Sequence, residues 1–223
     1  MDHTIPYEVT AMDVTPLSEE RLFQRWLDSM PETRKRKVAS LRHAESQRLS
    51  LGVGILLYQA LRARGLDPAR EPIAESREGK PSLPEHPDLH LSLSHGGSWA
   101  LCAVGAAPLG CDVEATGRGD RRIAERFFHP REVEYLRQFD EEETWQREFT
   151  RLWTRKESYL KADGRGLSLG METFQVLEET PGIWYEERTP APGIQAALCV
   201  WTPEKPAVIW RKTYPVCPPD HRD

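Results

Sequence analysis

Cysteine is scarce in this chain and none forms a C-x-x-C pair: Cys102, Cys111, Cys199 and Cys217 are scattered. That distribution argues against a clustered metal site or a disulfide framework, and for free, buried thiols in a reducing compartment. No apolar run approaches the ~18 residues of a membrane span. The opening MDHTIPYEV lacks the basic-then-apolar order of a secretory leader, so the expectation is a cytoplasmic protein without a membrane partner. A surplus of positive charge is missing too. Thirty basic against thirty-five acidic side chains leave −5, so no global field draws the chain to nucleic acid and any anion site must be local. Neither a G-x-x-x-x-G-K-[ST] loop nor a complete G-x-G-x-x-G, H-E-x-x-H or G-x-S-x-G occurs. The commonest nucleotide-binding and hydrolase signatures are thereby removed.

What is present is an ordinary globular composition, 39% hydrophobic and 29% charged over 223 residues, enough for one large domain or two of roughly 110. IPYEVTAMDV (5–14) reads as a strand. Ser18 then caps a helix whose apolar stripe is Leu22, Phe23, Trp26 and Leu27. After Pro31 comes a basic segment with Arg34, Lys35, Arg36 and Lys37, either a solvated face or an anion cradle. Leu49, Val53, Leu56, Leu57 and Leu61 keep helical spacing up to Gly65. Gly52 and Gly54 inside that helix cost roughly 1 kcal/mol each against alanine, which predicts close approach of another element.

LHLSLSHGG alternates, with Leu89, Leu91 and Leu93 on one face and His90, Ser92 and Ser94 on a wet one. Ser94-His95-Gly96-Gly97 turns the chain into WALCAVG. A small linker, Gly105-Ala106-Ala107-Pro108, marks a seam between halves 1–107 and 108–223. Pro130 opens a helix, and a longer one follows through Trp145, Phe149, Leu152, Trp153 and Leu160. TFQVL, IQAALCVWT and AVIWRKT read as strands, and the mixture predicts an α+β fold. The tail PVCPPDHRD is expected to fray.

Two constellations carry chemistry. On the strand of GCDVE, Asp112 and Glu114 project to one face about 7 Å apart, repelling by roughly 2 kcal/mol at an effective dielectric of about 20; a hard divalent cation removes that cost. On the helix of WTRKESYLK, Trp153, Glu157 and Lys161 stack at i, i+4 spacing. Taken alone, Glu157 and Lys161 look like a surface ion pair of ~0.3–0.5 kcal/mol. Together with Asp112, Glu114 and the groups at Arg36, Arg48, Lys80, Ser94 and His95, they suit a metal-bound polyphosphate, acids on the metal and bases on the phosphate.

GKP (79–81), LSLSHGGSWALCAVG (91–105), GCDVE (110–114), RFF (126–128) and WTRKESYLKADGRGLSL (153–169) resemble the ordered motifs of the 4′-phosphopantetheinyl transferases, in their surfactin-synthetase-activating (Sfp-type) branch. The likeness runs from about residue 31 to 169. It implies a monomeric, pseudo-twofold pair of α+β halves with the site at their seam. It further implies transfer of the phosphopantetheine arm of coenzyme A to a serine of an apo acyl or peptidyl carrier protein, as in polyketide and nonribosomal peptide assembly, with release of adenosine 3′,5′-bisphosphate. By motif position, Asp112, Glu114 and Glu157 would hold magnesium, or manganese in its place. Glu157 would also be the base, and Lys161 would neutralise charge on the pyrophosphate. Arg36, Arg48, Lys80, Ser94, His95, Asp112 and Lys161 match coenzyme A contacts. Thr33 stands where the family has a lysine, with Arg34 and Lys37 near enough to substitute. The local basic surface and residues 127–136 are the implied carrier-docking surfaces.

Two other readings compete. A magnesium-dependent phosphodiesterase or nuclease also uses three carboxylates, but it calls for a basic surface that the net charge does not supply. A non-catalytic coenzyme A or carrier-binding module has no need of a base beside a metal.

Overall fold

Alternation along the strands decides the layers. The computed structural model describes residues 6–218, so residues 1–5 and 219–223, with the start of the expected first strand and the end of the expected frayed tail, lie outside it. In β1 (Tyr7–Asp13), Val9 and Ala11 face one way and Met12 the other; in β5 (Trp99–Gly105), Trp99, Leu101 and Ala103 oppose Ala100, Cys102 and Val104. One of these faces packs under α1 (Glu20–Ser29), α2 (Glu32–Ala39) and α3 (Ala44–Arg62). The opposite face packs on a second sheet through Leu109, Cys111 and Val113 of β6 (Leu109–Ala115) and Ala196, Leu198 and Val200 of β8 (Ile194–Trp201).

The first sheet has the order β4-β5-β1-β9, where β4 is His90–Gly96 and β9 is Val208–Thr213, and the second has the order β6-β8-β7, where β7 is Ile183–Arg188. Two short strands, β2 (Ala74–Glu75) and β3 (Pro81–Ser82), form a separate ribbon. Over the outer face of β6 runs α6 (Glu142–Asp163), and beside it a cluster of Phe128, Leu136, Trp145, Phe149 and Val176 seats α4 (Arg121–Phe127) and α5 (Pro130–Leu136). The α+β expectation therefore holds. The close approach predicted at the α3 glycines is present: a Cβ on Gly52 would collide with Val14, and one on Gly54 would lie 3.1 Å from the Arg34 side chain.

Four local expectations differ from the structure. Ser18 does not cap α1; it ends a 3₁₀ turn (Thr15–Ser18) closed by a bond from Glu19 N to Pro16 O, and Glu19 takes the cap position. The wet face of β4 is dry, with Ser92 2% and Ser94 7% exposed, because β6 covers it. Ser92 Oγ accepts from Cys111 N at 3.0 Å, so side chains join the two sheets where no backbone ladder does. TFQVL is not a strand: a 3₁₀ turn (Met171–Thr173) leads into bends, since side chains rather than a neighbouring strand take the Phe174 carbonyl and Val176 N–H. Finally, a division at 107/108 does not partition the sheets. β9 pairs in parallel with β1, Tyr7 opposite Val208, and so joins the first sheet.

Cys102, Cys111 and Cys199 are free and buried, as expected, whereas Cys217 is free but exposed. Among the described residues no helix is long and apolar enough to cross a membrane.

Candidate active site

Glycine sets the spacing of the site. A Cβ on Gly110 would strike the Ser158 carbonyl and the Ala162 N–H of α6, so only glycine lets the helix lie this low on β6. Lys161 then reaches across the contact. Its Nζ donates to Asp112 Oδ1 at 2.7 Å, to Ser94 Oγ at 2.9 Å and to the Cys111 carbonyl at 3.1 Å. Ser94 Oγ in turn donates to Asp112 Oδ1 at 2.7 Å. Past this point α6 is stopped by Gly164 in the left-handed region (φ 86°), whose N–H closes the last turn on the Leu160 carbonyl, an arrangement glycine adopts without strain.

A cavity of about 430 Å³ opens over these groups, and Asp112, Glu114, Glu157, Lys161, Ser94 and His95 all line it. Trp153 forms part of its wall and is held by stacking on Phe149 and Phe128, with centroids 5.9 and 6.2 Å away. From the first half of the chain, Arg34 and Lys37 of α2 and Ser50 of α3 complete it. A second chamber of about 620 Å³ shares Glu157 and Lys161 and carries Lys80 and Leu160. Lys80 Nζ donates to the Ala162 carbonyl at 3.0 Å, where a cation also complements the C-terminal end of the helix dipole.

Two of the residues expected in the site lie apart from it. Arg36 projects to solvent, 75% exposed, 3.8 Å from Glu32 on its own helix. Arg48 is half-buried on α3 and lines neither chamber. Period and face explain the outcome on α2: the Cα step from Arg34 to Lys37 is nearly one turn, which sets both toward the cavity, whereas Arg36 falls on the other side.

Electrostatics follow from burial. Asp112 is 3% exposed. Desolvation first, and the Asp112 charge second, raise the Glu114 carboxyl to about 7 and also raise Glu157. Burial pulls the Lys161 ammonium down, but Asp112, Cys111 and Glu157 together outweigh it and the net shift is upward, so the lysine stays charged. His95 is exposed at its rim; partial desolvation, then Lys161, draw its pKa down and leave the ring neutral near pH 7.

Asp112 Oδ2 is buried without a hydrogen-bond partner, an acceptor the protein itself leaves unsatisfied. A hard divalent cation takes oxygen ligands, so Asp112, Glu114 and Glu157 fit one by donor chemistry. Among the described residues no three such side chains are gathered into a ready cage; the Lys161 ammonium holds the other Asp112 oxygen.

Sequence reasoning missed two features. Ser50 has a buried hydroxyl without a partner on the cavity wall, and its signal was a small polar residue inside the apolar run LSLGVGILL. Lys156 forms a fully buried pair with Glu132; its signal was a charge lying within the stripe Phe149, Leu152, Leu160.

The α+β fold brings its two sheets together at an acid–lysine cluster under a long helix. The model of the 4′-phosphopantetheinyl transferase superfamily matches residues 108–209. The 4′-phosphopantetheinyl transferase Sfp of Bacillus subtilis (strain 168) is 31% identical over 212 residues, covering 89% of this chain and 94% of the relative. A further 4′-phosphopantetheinyl transferase of Bacillus subtilis is 36% identical over 155 residues, 68% of each chain. HetI of Nostoc sp. is 37% identical over 128 residues, 55% of this chain and 54% of its own length. This chain belongs to the 4′-phosphopantetheinyl transferase superfamily and is a transferase.

Proposed function

We propose that this transferase moves the 4′-phosphopantetheine group of coenzyme A to a serine hydroxyl of an apo acyl or peptidyl carrier protein, releasing adenosine 3′,5′-bisphosphate, with magnesium in the site. The observation that carries the reading is the Asp112 carboxylate: buried, one oxygen on Lys161, the other unsatisfied, with Glu114 and Glu157 on the same cavity. A structural ion pair would leave no oxygen idle, whereas a site for a metal cation needs one.

Asp112, Glu114 and Glu157 would hold the magnesium, which supplies neutralisation of pyrophosphate charge when bound. Lys161 adds a fixed ammonium where charge grows on the bridging oxygen as it leaves, an electrostatic contribution to the transition state. Glu157, its carboxyl raised by burial, takes the proton of the carrier serine, directly or through water. The serine oxygen bonds to the β-phosphorus of coenzyme A as the bond from that phosphorus to the bridging oxygen breaks. On α2 we assign the remaining phosphate contacts to Arg34 and Lys37 rather than to Arg36, since they line the cavity. His95 offers a neutral ring at its rim, and Lys80 extends the positive wall into the second chamber. Arg48 is left with a flanking role on α3. Residues 1–107 and 108–223 thus each supply part of one site, which is complete in a single chain and suits a monomer.

Incubating the protein with an apo carrier protein, coenzyme A and Mg²⁺, and reading the carrier's intact mass, tests this. A phosphopantetheine mass increment that needs Mg²⁺ supports it; no increment across a panel of acyl and peptidyl carriers overturns it.

A further inference from the structure

Lys156 and Glu132 take no part in the chemistry just described, yet they sit directly behind it. Lys156 precedes Glu157 on α6, so the two side chains leave the helix about 100° apart. While Glu157 lines the cavity, Lys156 points inward and donates to Glu132 Oε2 at 2.6 Å and to the Phe174 carbonyl at 2.7 Å. Both side chains of the pair are 0% exposed. The same carboxylate accepts from His129 N at 2.9 Å, closing the capping box of α5, and from Val176 N at 2.8 Å. One glutamate therefore ties together the first turn of α5, the bend at 174–176 and the middle of α6.

An ion pair this deep is a poor source of stability. Desolvation offsets most of its attraction, and an apolar pair of similar volume commonly does as well or better. Its distinguishing property is direction, because the ammonium is satisfied at one azimuth of the helix and unsatisfied when α6 turns. On its other side α6 is pressed against Gly110 at Ser158 and Ala162. The two grips bracket Glu157 in sequence.

We propose that Glu132 and Lys156 are positioning residues: they fix the rotation of α6 that holds the Glu157 carboxylate on the cavity beside Asp112. The inference rests on the transferase reading above. It predicts a larger effect on turnover than on coenzyme A affinity: α6 carries Glu157 and Lys161, whereas Arg34 and Lys37 stay in place on α2, which the pair does not touch.

Two variants test it. Glu132→Gln keeps the shape and one acceptor while removing the charge; Glu132→Gln combined with Lys156→Met removes both charges and leaves none buried. Leu17→Ala, a cavity in the other core, serves as a control for stability loss alone. With kinetics taken where circular dichroism reports a native fold, kcat is expected to fall about tenfold or more in both variants. KM for coenzyme A should stay within about twofold of wild type, and the control should keep its kcat. A kcat within about twofold of wild type in the folded variants overturns the proposal, as does a parallel loss in the control. Failure of both variants to reach the native spectrum also overturns it, because the pair would then be a stability element only. Crystal structures of the folded variants, which need no substrate, are expected to show Glu157 turned away from Asp112. An unmoved Glu157 sinks the positioning role, whereas absence of transfer by the wild type sinks the transferase reading instead.

Discussion

Helix α6 carries two lysine–carboxylate pairs that are built in opposite ways. Lys156 and Glu132 are closed off from solvent, and both carboxylate oxygens are engaged, Oε1 by Val176 N and Oε2 by His129 N and Lys156. Lys161 and Asp112 are open: the lysine side chain is 29% exposed, and Asp112 Oδ2 has no partner. The chemical types are the same; what differs is the accounting of lone pairs. A closed pair has nothing left to offer a ligand and can only locate the segments it joins. An open pair holds an unsatisfied acceptor in a low-dielectric wall, the condition under which an incoming cation is bound strongly.

The largest effect is expected at the open site. Glu157→Gln should slow transfer by about 10²- to 10⁴-fold with an unchanged far-ultraviolet circular dichroism spectrum; near-normal rates of carrier modification would remove Glu157 from the role of base. Charge removal then separates the pairs in stability. Lys156→Met strands a buried carboxylate and should cost about 3–5 kcal/mol in urea denaturation. Lys161→Met should cost less, about 1–3 kcal/mol, because Ser94 still donates to Asp112 and solvent reaches the cavity. Equal losses would erase the distinction between closed and open.

Magnesium provides the third comparison. At about a hundredfold excess over Kd a ligand of the native state adds about 2.7 kcal/mol, so Mg²⁺ should raise the Tm of the wild type but not of Asp112→Asn. A rise in Asp112→Asn as large as in wild type would move the cation elsewhere.

The smallest effect is in pH. Burial, then Asp112, raise the Glu114 carboxyl from 4.5 to about 7. Between those values the folded chain keeps a proton that the unfolded chain has released, so in metal-free protein stability is highest on the acid side of the window and declines as pH rises through it. Asp112→Asn should make that decline shallower without abolishing it, because desolvation is the larger cause. Urea midpoints measured across the window decide, and an unchanged slope would detach Glu114 from the pair.

Legibility tracked how local each signal was. Period 2 along GCDVE put Asp112 and Glu114 on one face, and period 3.6 along WTRKESYLK put Glu157 and Lys161 in one column. Both are properties of a single element, and the structure turns both toward one cavity. The two glycines of α3 announced a close neighbour, though not that it would be Val14 and Arg34. Failures came where a partner lay elsewhere in the chain. Ser92 and Ser94 alternate as a solvated face would, yet β6 buries them. TFQVL has the composition of a strand, but Lys156 and Glu132 claim its polar backbone atoms. On the basic helix, four cations in a row could not reveal which of them would face inward, because that depends on the azimuth at which α2 docks on α3.

The parallel pairing of β9 with β1 has a consequence for the order of assembly. Tyr7 meets Val208, and just beyond the strand Trp26 Nε1 donates to the Val216 carbonyl at 2.6 Å. β1 therefore waits for β9 to complete its sheet, and contacts of such long sequence separation form slowly. During synthesis the edge of β1 stands open as a template, guarded only by whatever holds nascent chains apart. That sheet becomes fully cooperative only when β9 docks, rather than half by half.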